Sequence, residues 1–394
     1  MTAPPTSTRP DSSRAVTMPV ADVTICIPAW KAEPFIDRTL RCARAQTHAG
    51  VRILVSVDQC DDRTAAICRE HAGQDPRVAV IAQAQRLGWS ENANYLLDRV
   101  ETDFFFLYFH DDVIEPTYTE KLRQALLDNP RAASAHCDLE YFGLRRAVDL
   151  GNTFAGPPAR RIINYLFRLA KGTQLRSLTR TELVAKGLRF PAIGEEGFWR
   201  CPPYSVRLVG EGEAVRVPEL LYRCWLRQGS LTKTWRPEEL SQLVEGLREC
   251  ARVCESIIGE LVEDADAEQV ARFCLYLSVM KYLRRAERPL SDNEGPVAAA
   301  AISPSFAAFA DAGAHAEPEA QDAEVQGWIY TAKAELKQAE REAHLIAELR
   351  SQRATIERQR KKIRALTEQL DRRGEKLRVA RGKLAGARSD EQVR

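Results

Sequence analysis

Three acidic positions in this chain stand where a polypeptide can do chemistry on a phosphorylated substrate. The apolar run Phe104-Phe105-Phe106-Leu107-Tyr108-Phe109 leads straight into His110-Asp111-Asp112. Two adjacent carboxylates just past a buried strand repel each other, and staying ionised there requires a cation or strong donors. The plain alternative is a solvated surface turn. Asp58 closes a second apolar run, Arg52-Ile53-Leu54-Val55-Ser56-Val57, and Glu195-Glu196 follows a loop opened by Pro191. Hard divalent cations take carboxylate oxygens and leave positions for phosphate. A separate carboxylate can accept the proton of an attacking hydroxyl. The set suits a reaction in which a diphosphate departs and an acceptor hydroxyl is deprotonated. For Asp58 alone, an ordinary Asp at a strand-end turn is an equal reading. For Glu195-Glu196 the competing reading is a solvated helix N-terminus, where carboxylates gain from the dipole.

The elements that must position these residues alternate. Val23-Thr24-Ile25-Cys26-Ile27 is a β-branched strand that Pro28 is expected to stop. Further strands are predicted over 52–57, 78–81, 104–109, 132–142 and 215–222. Helices are predicted over 33–45, 63–71, 92–99, 117–127, 161–170 and 181–186, with another from Phe198. Strands alternating with helices imply right-handed crossovers and a mostly parallel sheet, an α/β fold. Ligands of such sheets sit at the carboxyl ends of the strands, where Asp58 and His110-Asp111-Asp112 fall.

The chain has 394 residues, 44% apolar and 28% charged, which suits a soluble protein of two to three domains. Formal net charge is only +2, but residues 331–394 carry 18 Lys/Arg against 10 Asp/Glu, leaving 39 basic and 45 acidic residues upstream. No apolar run approaches membrane-spanning length, and residues 1–19, rich in Pro, Ser and Thr, read as a disordered leader rather than a secretory signal. The ten cysteines include no C-x-x-C pair and are expected as buried reduced thiols of a cytoplasmic protein. Cys250 and Cys254 share a helix face, where packing is favoured over a shared metal. The Trp89, Trp199 and Trp225 rings are read as core or as sugar-stacking platforms.

Residues 236–290 read as a helical extension and 291–325, rich in Ala and Pro, as a flexible linker. Beyond it Leu349, Ile356, Ile363, Leu370, Leu377 and Leu384 recur every seven residues. This predicts a coiled coil over 326–388, with a second copy or another helix as partner. Arg353, Arg360, Thr367, Gly374 and Arg381 at the alternate core positions would keep self-association weak. Its Lys and Arg have no interleaved aromatics, so a solvated face is favoured over nucleic acid or an anionic membrane.

Six segments in order resemble family 2 glycosyltransferases of the GT-A fold, across residues 23–232. Ile27-Pro28-Ala29-Trp30-Lys31-Ala32-Glu33 is similar to their opening turn, and Val55-Ser56-Val57-Asp58-Gln59-Cys60-Asp61-Asp62 to their second strand and acidic turn. Arg86-Leu87-Gly88-Trp89-Ser90-Glu91-Asn92-Ala93-Asn94 resembles their Gly/Asn segment, and His110-Asp111-Asp112 their D-x-D-type position. Gly194-Glu195-Glu196 looks like their acidic pair, and Val217-Pro218-Glu219-Leu220-Leu221-Tyr222-Arg223 their closing strand.

The resemblance implies a GT-A domain over 20–235 and an inverting transfer from a nucleotide-diphosphate sugar, UDP-linked by family frequency. It implies a saccharide or glycolipid acceptor, with work at the inner face of a membrane. It places Pro28, Ala29 and Glu33 around the nucleotide, Asp58 on the base and Asp111 on the ribose or the metal. Asp112 would hold Mg2+ or Mn2+, and Glu196, or its neighbour Glu195, would be the general base. Three departures stand out. Gln59 replaces a second acid, Glu196 is a methylene longer than Asp, and Arg223, Arg227 and Gln228 stand where some relatives have a histidine. Arg223 or Arg227 could pair with the diphosphate. The competing reading from another class is a non-catalytic GT-A-like scaffold assembling partners through the coiled coil.

Overall fold

The computed structural model describes residues 20–167, 172–194, 198–227 and 240–284, with Ile302, Ser303 and a few isolated positions beyond. The expected leader lies outside the described residues, as does the expected linker apart from Ile302 and Ser303, which are buried, and the expected coiled coil apart from isolated positions.

The first strands alternate their side chains between two buried faces. Strand β1 (Val23–Ala29) pairs in parallel with β2 (Val51–Val57) and with β4 (Phe104–Leu107), and β2 pairs with β3 (Val78–Ala82). Ile25, Ile27, Ile53, Val55, Phe104 and Phe106 face one core, while Cys26, Leu54, Phe105 and Leu107 face the other. Strands buried on both faces read as continuous apolar runs, which is why these were visible in the sequence. Helices α1 (Ile36–Arg44) and α4 (Tyr118–Asp128) cover the first face with Ile36, Leu40, Tyr118, Leu122 and Leu126. Between them in the chain lie α2 (Thr64–Gln74), on the same side through Cys68, and α3 (Trp89–Leu97), which covers the opposite face with Ala93, Leu96 and Leu97.

The remaining strands extend the sheet in the order β3-β2-β1-β4-β8-β6-β9-β5, with β7 on β6. Strands β5 (Val113–Ile114), β7 (Ala147–Asp149) and β8 (Leu178–Arg180) are two or three residues long, too short to leave a periodic signal, and all three pair antiparallel. The long pair β6 (Ala132–Gly143) and β9 (Glu213–Leu226) runs parallel, with register shifts at Ala132/Ser134 and around Asp138. Such irregularities bend a strand and re-aim its side chains.

Pro28 does not stop β1, as the sequence suggested. It pairs opposite Ser56 within the strand. The β4 ladder ends at Cys26, so the missing N–H of Pro28 leaves no bond to β4 unmade.

Helices α5 (Pro158–Phe167), α6 (Glu182–Ala185) and α7 (Cys201–Glu211) complete the layer behind the sheet. Two long helices follow, α8 (Leu240–Leu261) and α9 (Ala265–Arg284). Their Cys254, Ile258, Val270, Ala271 and Cys274 share one core with Ile162, Ile163, Val206 and Val209 of α5 and α7. Cys250 and Cys254 are buried there as free thiols, and Trp199 joins them, so packing accounts for all three. No helix among the described residues is long and apolar enough to cross a membrane.

Because this extension shares its core with α5 and α7, trimming it should loosen the whole fold. Ile258, fully buried, should cost about 2–5 kcal/mol when replaced by Ala. Urea unfolding followed by tryptophan fluorescence checks this, and a transition unchanged from wild type would contradict it.

Candidate active site

The carboxyl ends of β1, β2 and β4 meet along one edge, and β1 ties them together. Asp58 N donates to Ala29 O at 2.8 Å, and the His110 Nδ1 proton reaches Pro28 O at 3.2 Å. The end of β1 is therefore bonded to the turn after β2 on one side and to the turn after β4 on the other.

Asp58 points inward rather than into the crevice. Its carboxylate accepts three backbone amides, from Gln59 at 3.0 Å, Leu87 at 2.7 Å and Gly88 at 2.8 Å. Gly88 adopts φ 88°, a conformation that favours glycine, and caps the start of α3. As placed, Asp58 shapes the 86–88 loop. Ser56 and Asn92 add two bonds between β2 and α3, with Ser56 Oγ donating to Asn92 Oδ1 at 2.5 Å and Asn92 Nδ2 donating to Ser56 O at 3.0 Å. At the mouth of the same loop, the Arg86 guanidinium lies 3.7 Å over the Trp30 ring. Glu33 accepts from Arg63 N at 3.0 Å, and its own N–H reaches Asp62 at 3.2 Å, so it staples the turn after β1 to that after β2.

The acidic pair divides its tasks. Asp112 is 3% exposed. Its Oδ2 accepts from Arg176 Nε at 3.2 Å and Nη2 at 3.1 Å and from the Tyr222 hydroxyl at 3.0 Å, and its Oδ1 accepts from Trp225 N at 3.1 Å. Burial pushes its carboxyl above the ordinary carboxylate range, and the Arg176 charge draws it back. The Arg176 guanidinium sits between Phe109 and Tyr222, 4.8 and 5.3 Å from their rings. Asp111 is half-buried, with Oδ2 accepting from Arg227 Nε at 3.1 Å and its backbone carbonyl from Arg38 Nη2 at 2.7 Å.

A divalent cation is what the family resemblance adds to such a pair. Among the described residues, no three His, Cys, Asp or Glu side chains converge to hold one. Asp112 directs both oxygens at protein donors, and Asp111 faces Arg227. The described residues therefore do not fit a resident cation. Guanidinium groups meet the charge of the pair instead.

Glu195 and Glu196 lie outside the described residues, but their flanks are tightly tied. Before them, Asn94 exchanges two bonds with the Phe190 backbone, at 2.9 and 3.0 Å. After them, Arg200 donates to Ile193 O at 3.0 Å, Gly194 O at 2.9 Å and Ser90 Oγ at 2.5 Å. Both flanks thus attach to α3, whose entry Asp58 holds.

Sequence reasoning missed Arg176, Tyr222 and Arg38. They lie far from the acidic pair in the chain, and a lone Arg carries no periodic or spacing signal. Arg227 was visible because it follows the predicted closing strand.

Residues 24–173 match the family model for glycosyl transferase family 2. GlyA of Streptococcus pneumoniae, a glycosyltransferase, is 22% identical over 240 residues, 58% of this chain and 34% of its own length. An uncharacterized glycosyltransferase of Haemophilus influenzae is 27% identical over 136 residues, 34% of this chain and 42% of its own. The chain thus spans about a third to two fifths of these relatives. S. aureus TarS 1–349, solved with UDP-GlcNAc, matches with a TM-score of 0.59 at 14% identity, covering 83% of this chain and 92% of that one. The same protein with UDP matches at 0.56 and 13% identity. The shared fold is GT-A.

The burial of Asp112 makes its partner indispensable. Arg176→Met should destabilise by about 3–5 kcal/mol at pH 7, because it strands a buried charge. With its pKa raised further above the unfolded value, Asp112 binds a proton in the folded state first, so stability should fall as pH rises through that window. Relative to wild type, the variant should therefore recover as pH falls from neutral toward the ordinary carboxylate range. Chemical denaturation across that range checks the sign, and a deficit independent of pH would contradict it.

Proposed function

Starting from a glycosyltransferase family 2 domain at residues 24–173, we propose that this chain transfers a sugar from a nucleotide-diphosphate donor, UDP-linked, to a saccharide or glycolipid acceptor with inversion. The observation that carries the proposal is the shared edge. The ends of β1, β2 and β4 are bonded into one crevice wall, and the loop carrying Glu195-Glu196 is tied at both flanks to the helix that borders it.

In this reading Pro28, Ala29 and Glu33 form the nucleotide side of the crevice. Asp58 acts one step back, fixing the 86–88 loop. Asp111 meets the ribose. Arg227 leaves Asp111 to pair with the departing diphosphate, which suits a guanidinium fork better than an ammonium. Arg176 keeps Asp112 neutralised, so that Asp112 anchors the floor of the site through Tyr222 and Trp225. Charge on the leaving group is then met by arginine, where the sequence suggested Mg2+ or Mn2+. Glu196, with Glu195 beside it, takes the acceptor proton on the face opposite the diphosphate. That geometry gives a single displacement and therefore inversion. A closed Asp112 also favours a second reading, a nucleotide-binding scaffold without turnover. The work is assigned to the cytoplasm, at the inner face of the membrane if the acceptor is a glycolipid.

Three measurements separate these readings. UDP should raise the melting temperature of the full chain equally with EDTA and with Mn2+; a shift seen only with Mn2+ would restore the metal. Arg227→Ala should weaken UDP binding by about tenfold, the value of one charge-assisted contact. Glu196→Gln should keep UDP binding but lower transfer by about 10²–10⁴-fold. Wild-type protein that binds UDP but neither hydrolyses nor transfers UDP-sugars would favour the scaffold.

A further inference from the structure

A cavity of about 550 Å³ is lined by Arg38, Val113, Glu140, Phe142, Gly143, Arg146 and Arg223. Its charges do not cancel. Glu140 is shared by Arg146 at 2.6 Å and Arg223 at 3.1 Å, and Arg223 also reaches Glu115 at 3.3 Å. Three guanidinium groups thus answer two carboxylates. The remaining charge is Arg38, which has no carboxylate within ion-pair distance among the described residues. Its Nη2 donates to the Asp111 carbonyl, its guanidinium lies 5.0 Å over the Trp225 ring, and its buried Nε has no hydrogen-bond partner among the described residues. A buried donor on a charged group without a partner costs stability, unless a ligand completes it.

The walls suit a ligand that is part sugar and part anion. Phe142, in the lining, is backed by Trp225, with the two rings 9° from parallel and 6.0 Å apart, and offers an apolar face of the kind on which a sugar ring packs. Gly143 has φ 99°, and a Cβ there would stand 2.4 Å from Leu226 O and 2.6 Å from the Trp225 ring. The strand can pass this close to Trp225 only as glycine.

We propose that this cavity binds a phosphate group of the acceptor, a phosphomonoester or phosphodiester. Arg38 and Arg146 are its principal donors. Guanidinium forks match phosphate bidentately, and Arg38 has an unused donor for it. The proposal deepens the transferase reading and rests on it for the word acceptor, whereas the anion site itself stands on the cavity.

Calorimetric titration of the full chain tests it, with inorganic phosphate, glycerol 3-phosphate and UDP as separate ligands. The expected result is saturable binding of both phosphates that weakens at least tenfold in Arg146→Gln and in Arg38→Met, with UDP binding unchanged in Arg146→Gln. Phosphate that fails to bind, binds equally to both variants, or is displaced by UDP would overturn the site. If UDP fails to bind while the arginine dependence of phosphate persists, the donor reading falls and the cavity stands. Co-sedimentation with phosphatidylglycerol vesicles, lost in Arg146→Gln, assigns the phosphate to a lipid. Binding of glycerol 3-phosphate without vesicle binding assigns it to a soluble acceptor.

Discussion

A carboxylate taken out of water next to a second carboxylate is the constraint around which this molecule is arranged. Asp112 can remain ionised at 3% exposure only if donors surround it, and they come from two separate parts of the chain: Arg176 from one, the Tyr222 hydroxyl and the Trp225 amide from the other. Meeting that demand brings β9 against the end of β4, because Tyr222 and Trp225 both lie on β9. It also brings the segment before β8, which holds Arg176, under the same turn. Desolvation of an ion pair is expensive, so such pairs are poor sources of stability but strict about geometry. Here the geometry they enforce is the meeting of the parallel half of the sheet with its mixed half.

The same logic separates two kinds of acidic residue that look alike in the sequence. Asp58 and Asp112 both follow apolar strands, and both turn inward to hold backbone. Asp111, one position from Asp112, is the one left half-buried at the edge of the crevice. The turn closed by Asp112 N donating to Phe109 O at 3.1 Å carries Asp112 inward, and Asp111, inside that turn, stays nearer the surface. Each acid of the pair meets an arginine, Asp112 with Arg176 and Asp111 with Arg227.

Much of the frame was legible from the residues. Val23 to Ile27, Arg52 to Val57 and Phe104 to Leu107 announce buried parallel strands, and the strand-end rule locates Asp58 and Asp111 without coordinates. The limits were equally physical. Pro28 looked like a stop because a sequence does not reveal where a neighbouring strand's ladder ends. Strands of two or three residues, such as Val113–Ile114 and Leu178–Arg180, are defined by their partners rather than by their own pattern. Arg176 and Arg38 reach the acidic pair only through tertiary contact. The direction of a carboxylate, inward or outward, is likewise a property of the packed turn.

Helix α3 gives these contacts a mechanical meaning. Asp58 grips its entry, Asn92 pins it to β2, and Asn94 with Ser90 holds the two flanks of the segment bearing Glu195 and Glu196. One rigid rod of nine residues thus serves as the gauge for the width of the cleft. The flanks of that segment therefore keep a fixed relation to the strand-end turn after β2, because both are bonded to the same helix.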